Sequence, residues 1–259
     1  MKTVEKYRIT VAVLCSIIFL QWVYFSLKAK PTVKPLRPLQ AAGKIAIVID
    51  DWGYNLDNIS LLKELSFPLT VSILPHLRYS REIAQDAQRL GLEVILHLPM
   101  EPHEKFRLEE NTIITSMSEA QIRDIIEADL ENIAVAKGVN NHMGSKATED
   151  YPTMNKVLGA LKEKHIFFLD SLVTRKSICA RVAKTLKLPF VKRDVFLDNK
   201  EDPEYIKQQL YQLKRKASAY GYAVGIGHDR TLTLRVLKAV LPEFVKQGFT
   251  LVFLSEVAR

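Results

Sequence analysis

From residue 44 to the C-terminus, short apolar runs of strand length alternate with longer stretches whose apolar residues recur at helical spacing. The strand candidates are 45–50, 69–74, 93–98, 138–143, 166–170, 189–198, 223–228 and 250–255. Among the helical stretches, 58–65 carries Ile59, Leu62 and Leu65, and 80–90 is amphipathic with Gly91 as its stop. Residues 118–136 open with a capping pattern, Ser118 followed by Gln121. Pro203 starts a helix that ends at Gly221, and 235–247 ends at Gly248. Eight strands alternating with seven helical segments predict a parallel sheet. The stretch 44–259 has the length of a closed (β/α) barrel. An open doubly wound sheet is the alternative, but no G-x-G-x-x-G follows the first strand.

The first 43 residues break this alternation. Residues 9–27 carry no charge over 19 positions, roughly 28 Å of helix at about 1.5 Å per residue. Lys2, Lys6 and Arg8 precede the run, and Trp22 and Tyr24 lie near its far end. No small-residue cleavage site follows, so 1–27 is expected to be an uncleaved signal anchor in the cytoplasmic membrane. Lysines and arginines flank both ends of the run. The short basic stretch before it nevertheless marks 44–259 for export, to a periplasmic position or to secretion if the segment is cut. Residues 28–43, with Pro31, Pro35 and Pro38 among basic residues, read as an extended tether.

Composition changes this picture in one respect. With 47% hydrophobic and 25% charged residues the chain is neither disordered nor fibrous, and two cysteines exclude a disulfide scaffold. Cys15 lies within the apolar run, and Cys179 reads as a packed thiol. A net charge of +8 invites a nucleic-acid partner, but residues 1–43 hold +6 of it. The remaining +2 gives no sign of a polyanion partner, and the basic excess belongs beside anionic lipid.

In a parallel barrel, chemistry gathers at the C-terminal ends of the strands. Those ends carry Asp50-Asp51, His97 with Glu101 after it, His142, Asp170-Ser171, Asp198-Asn199 and His228-Asp229. Singly, an Asp after a strand caps a turn and a lone His makes a hydrogen bond. Together on one face they combine groups that bind a divalent cation with groups that move protons.

The stretch 47–54, IVIDDWGY, resembles the opening motif of polysaccharide deacetylases with the NodB homology domain. IDDWGYN (49–55), HLPMEP (97–102), NNHMGS (140–145), FLDS (168–171), DVFLDN (194–199) and IGHD (226–229) follow in order, most similar to the divergent polysaccharide deacetylase branch. The resemblance implies a distorted (β/α) barrel of seven or eight parallel strands, a divalent metal, most simply zinc, and hydrolysis of N-acetyl groups on a glycan. Through it, Asp50 is the expected base and Asp51 a metal ligand. His97 is the expected first histidine of an H-x-x-x-H metal motif whose second position here is Glu101. His142 from another strand, with Glu101 in reserve, completes the expected set. His228 is the expected acid and Asp170 the carboxylate that orients it. Trp52, Asn141 and Asp198 are the expected substrate-binding residues; for Trp52 packing is the alternative, and for Asp198 capping of the Pro203 helix. Tyr54 and Tyr79 are further candidates for stacking on sugar rings. The family's usual arginine near strand four is missing, with Lys146 after that motif and Arg230 after His228. Two rivals follow: a glycan-binding envelope scaffold of low turnover, and a metal-dependent peptidoglycan amidase.

Overall fold

β1 (Gly43–Trp52) is buried along nearly its whole length because apolar residues occupy both of its faces, the pattern of a strand covered on two sides. The computed structural model describes residues 13–24, 42–105 and 107–259. Within 42–259, parallel strands run in the order β6-β5-β4-β3-β2-β1-β8-β7. These are β2 (Thr70–Ile73), β3 (Glu93–Met100), β4 (Gly138–Met143), β5 (Phe167–Asp170), β6 (Phe190–Lys192), β7 (Val195–Phe196) and β8 (Tyr222–His228). β8 lines one edge of β1 from Lys44 to Asp50. On the other edge, β9 (Phe249–Val252) pairs from Gly43 to Ala46 and β2 takes over at Val48.

The predicted strand 189–198 is two strands. The Arg193 N–H still donates to the Asp170 carbonyl at the end of β5, whereas the Asp194 N–H donates to the Val224 carbonyl of β8. One extended segment thus changes partner between adjacent residues, and the two ends of the sheet meet in it. That change of partner raises the strands described to nine and makes the barrel distorted.

Seven helices follow the strands: α2 (Ile59–Lys63), α3 (Ser80–Arg89), α4 (Glu119–Asn132), α5 (Tyr151–Glu163), α6 (Cys179–Leu186), α7 (Pro203–Tyr220) and α8 (Thr231–Lys246). The Ser118 hydroxyl caps α4 and Gln121 returns the bond, as the capping pattern predicts. Asp202, not Asp198, caps α7. Cys179 is buried.

The two-residue strand period sorts side chains into two cores. Ile45, Ile47 and Ile49 of β1 join Leu96, Val139 and Phe168 under the helices. Ala46 and Val48 join Ile95, Leu169, Val224 and Ile226 inside the barrel. Asp50, His97, Asn140, His142, Ser171 and His228 share the parity of the inner set, so they extend the barrel interior at its C-terminal mouth.

Residues 13–24 form a helix, α1. Among the described residues no helix is long and apolar enough to cross a membrane. The rest of the expected anchor and the tether up to residue 41 lie outside the described residues. Gly43, assigned above to the tether, is the first residue of β1. Its φ of +141° is one that L side chains rarely adopt, and a Cβ there would lie 2.4 Å from the Ala217 carbonyl oxygen. Gly43→Ala is expected to destabilise 42–259 by roughly 1–3 kcal/mol, read as a lower melting temperature. An unchanged melting temperature would show that the entry into β1 adapts freely.

Candidate active site

Asp50 and Asp51 are adjacent in β1, so a regular strand would send their side chains to opposite faces. The backbone prevents this at Asp51 itself, where φ is +66°. The register against β2 shifts between Ile49 and Trp52 at the same point. Asp51 is thereby turned toward the barrel mouth beside Asp50. The shift also returns Trp52 to the helix-facing core, where it is fully buried. Trp52 is therefore a packing residue, and the expectation that it binds substrate is corrected.

Asp51 meets two histidines from neighbouring strands. Its Oδ1 lies 3.1 Å from His97 Nε2 and 3.1 Å from His142 Nδ1, and these two nitrogens are 3.1 Å apart. Three ligand-type atoms at such separations match the roughly 3.3 Å edge of a tetrahedron built on 2.0–2.1 Å bonds to zinc. The far nitrogen of His97, Nδ1, donates to the Asn140 side-chain oxygen at 2.8 Å. That oxygen has no proton to give, so a neutral His97 keeps its proton on Nδ1 and would turn its Nε2 lone pair to a cation. The residues thus fit a divalent cation. Burial opposes ionisation of Asp51, but the hydrogen bonds from His142 and His97 outweigh it and hold the carboxyl far below its usual range. Burial likewise works against a charged His97, yet Asp50 and Asp51 raise it to about 9.

Glu101 does not join the triad. Its carboxylate accepts from the Thr115 N–H at 2.7 Å and hydroxyl at 2.8 Å, and pairs with Lys146 at 2.6 Å. His142 occupies the third position.

Asp50 is oriented by Asn140, whose Nδ2 donates to Asp50 Oδ1 at 2.9 Å. The other carboxylate oxygen lies 3.8 Å from His97 Nε2. Burial pushes the Asp50 carboxyl up, against the charges of His97 and His228 and the Asn140 bond. Asn140 also accepts from the Ser72 hydroxyl at 2.7 Å, so one amide sets both a ligand and the expected base. Sequence reasoning passed over it in favour of Asn141. The strand period separates the two: Asn141 has the parity of helix-facing Val139. Its Nδ2 donates to the Met143 carbonyl at 2.7 Å, its Oδ1 accepts from the Ser171 N–H at 2.9 Å, and the residue is buried, so it braces the ends of β4 and β5 and does not face a substrate.

His228 stands directly across from Asp50 in the β1–β8 register. Asp198, not Asp170, holds it. Asp198 Oδ1 lies 2.7 Å from His228 Nδ1, while its Oδ2 accepts from the His228 N–H at 2.8 Å and the Thr233 hydroxyl at 2.7 Å. Burial disfavours a charged His228, but the Asp198 hydrogen bond and charge outweigh it and raise the imidazole above its ordinary value. Burial likewise disfavours ionised Asp198, and His228 lowers it. Asp198 is thus a positioning residue and not a sugar contact. Asp170 has the parity of helix-facing Phe168. Its oxygens accept from the Leu172 N–H at 2.8 Å and the Ser177 hydroxyl at 2.7 Å, which shapes the turn after β5. Arg193 holds that turn from the other side through the Ser171 and Leu172 carbonyls.

Beside the triad, a cavity of about 390 Å³ is lined by Tyr54, Pro75, His76, Leu77, Arg107, Leu108, Glu109 and Glu110. Tyr54 is half exposed and reaches Glu109, and its phenol is pushed up by burial and that carboxylate. His76 packs on buried Asp129 at 2.9 Å.

The match to the divergent polysaccharide deacetylase family covers residues 47–258. The chain belongs to that family. Over 200 residues the chain is 38% identical to the Escherichia coli (strain K12) protein YibQ, covering 77% of this chain and 63% of that one. The chain thus spans less than two thirds of that relative's length. A solved protein from Agrobacterium tumefaciens C58 superposes with a TM-score of 0.79 at 22% identity, over 83% of this chain and 88% of that one. A CE4 family pseudoenzyme from Bacillus anthracis superposes with a TM-score of 0.51 at 14% identity, over 84% and 66%. These two likenesses are likenesses of fold.

Asp198→Asn is expected to lower the His228 pKa, because an amide cannot stabilise the imidazolium, whereas Asp170→Asn leaves it within a few tenths. An NMR titration of His228 measures both. The same pair sets a stability window. Its contribution is lost as pH falls through the depressed Asp198 value and again as pH rises through the raised His228 value.

Proposed function

We propose that the chain is a metal-dependent hydrolase that removes N-acetyl groups from an envelope glycan. The observation that carries this reading is the convergence of Asp51, His97 and His142 beside Asp50 and the Asp198-held His228. When bound by the triad, a divalent cation, zinc by its ligand set, supplies Lewis acidity to the amide carbonyl and the attacking water.

The remaining steps belong to side chains. Asp50 takes the proton from the attacking water, and a positive charge beside it favours the ionised form that this requires. Asn140 holds one Asp50 oxygen and leaves the other for that proton. The leaving nitrogen departs only when protonated. His228, charged by Asp198, delivers that proton from the opposite side of the β1–β8 pair as the carbon–nitrogen bond breaks. Acetate and a free sugar amine result. The polar cavity walled by Tyr54, His76, Arg107 and Glu110 offers room for an adjoining sugar. An extracytoplasmic location at the membrane rests on the apolar run 9–27 alone.

Two motives for a low-turnover scaffold lose force. His142 supplies the imidazole that Glu101 does not, and Asn140 orients Asp50 where no arginine follows β4.

Residues 42–259 are expected to bind one zinc per chain, with His97→Ala abolishing it. The zinc-loaded protein should release acetate from N-acetylated oligosaccharides or peptidoglycan fragments. Asp50→Ala should keep the metal and lose about 10²–10⁴-fold in rate. Absence of metal binding at micromolar concentration would sink the proposal. Metal without acetate release would leave the scaffold, and free amino groups without acetate would indicate an amidase.

A further inference from the structure

His142 uses Nδ1 in the triad, which leaves its other ring nitrogen, Nε2, pointing away from Asp51 and His97. Nε2 is buried and makes no hydrogen bond. Such a group normally has an acceptor. The charged atom facing it is Glu109 Oε2, at 3.6 Å. Glu109 is held from its other side, since the Tyr54 hydroxyl donates to Oε1 at 2.8 Å.

The segment that carries Glu109, between β3 and α4, is itself fixed. The Ile113 N–H donates to the Pro99 carbonyl, and the Glu101 N–H to the Ile113 carbonyl. The Thr112 hydroxyl donates to the Glu109 carbonyl at 2.7 Å. The Glu101 carboxylate clasps Thr115 and Lys146. Glu101 therefore acts on the centre indirectly, by anchoring the loop that brings a different glutamate to His142.

We infer that Glu109 is a positioning residue of the metal centre, the acceptor for His142 Nε2–H, with Tyr54 holding its carboxylate in place. The inference rests on the metal-dependent reading above. Its chemistry follows from tautomers. A neutral imidazole with no acceptor at its far nitrogen divides between two forms, and one of them puts the proton on Nδ1, where it blocks a cation. An acceptor at Nε2 selects the other form and makes Nδ1 a better donor. His97 has the same arrangement with its nitrogens exchanged, its Nδ1 proton being held by the Asn140 oxygen at 2.8 Å. The two histidines are thus set by different acceptors, an amide on β4 and a carboxylate on a loop. The 3.6 Å separation is slightly longer than a hydrogen bond and within reach of a charge contact.

The experiment measures zinc affinity of the full chain by competition with a chromophoric chelator, for the wild type, Glu109→Ala, Glu109→Gln and Tyr54→Phe. Glu109→Ala is expected to weaken zinc binding about 10–100-fold. Glu109→Gln, whose amide oxygen still accepts, should recover part of that loss, and Tyr54→Phe should lose less than Glu109→Ala. In the zinc-loaded protein the His142 Nε2 proton should be sharp by NMR in the wild type and broadened by exchange in Glu109→Ala. Melting temperatures without zinc separate these effects from misfolding, and Glu109→Gln keeps the comparison if Glu109→Ala does not fold. Equal zinc affinity and an unchanged His142 proton in a folded Glu109 variant overturn the inference while the proposed function stands. A wild type that takes up no zinc overturns both.

Discussion

The centre depends on one backbone constraint, the left-handed conformation of Asp51. A regular β1 would bury one of the two adjacent carboxylates under the helices. The turn at Asp51 costs about 1–2 kcal/mol for an L residue, and aspartate is among the side chains that tolerate it best. Surrounding hydrogen bonds hold it there. The Asp50 carbonyl accepts from Asp229, the Trp52 carbonyl from Leu74 and the Gly53 carbonyl from Tyr79. Packing of Trp52 in the outer core then fixes the chain beyond the turn.

Around that turn, each ionisable group has a neutral or charged partner that sets its direction. Asn140 serves His97 and Asp50 together, Asp198 serves His228, and Glu109 faces His142. Such a cluster of buried acids and histidines is costly without pairing. The opposed shifts show how the cost is met: Asp51 is lowered by its histidines while Asp50, more deeply enclosed, is raised. Adjacent carboxylates with opposite tendencies are suited to different tasks, a ligand that stays ionised and a base that accepts a proton.

Much of this was legible in the chain. The alternation of periods predicts the parallel barrel and its helices, and the residues after each strand mark the mouth where the polar groups meet. Parity within the strands carries more than was drawn from it. Counting by two from Val48, Leu169 or Ile226 separates Asp50, Ser171 and His228 from Asp170, and in β4 it separates Asn140 and His142 from Asn141. Read that way, Asp170 could not be expected to reach His228.

Other features had no local signal. Nothing in DVFLDN says that the segment leaves β5 for β8 between Arg193 and Asp194, because hydrogen-bond partners are set by the strands on either side. That crossing brings Asp198 to His228. Glu109 lies in a loop without periodicity, and its approach to His142 depends on the Glu101 and Tyr54 anchors. The sequence by itself determined which elements form and which residues lie near their ends, since propensity and periodicity act over a few residues. Only the tertiary structure decided which carboxylate serves which histidine, because residues far apart in the chain become partners only when the strands are aligned in register.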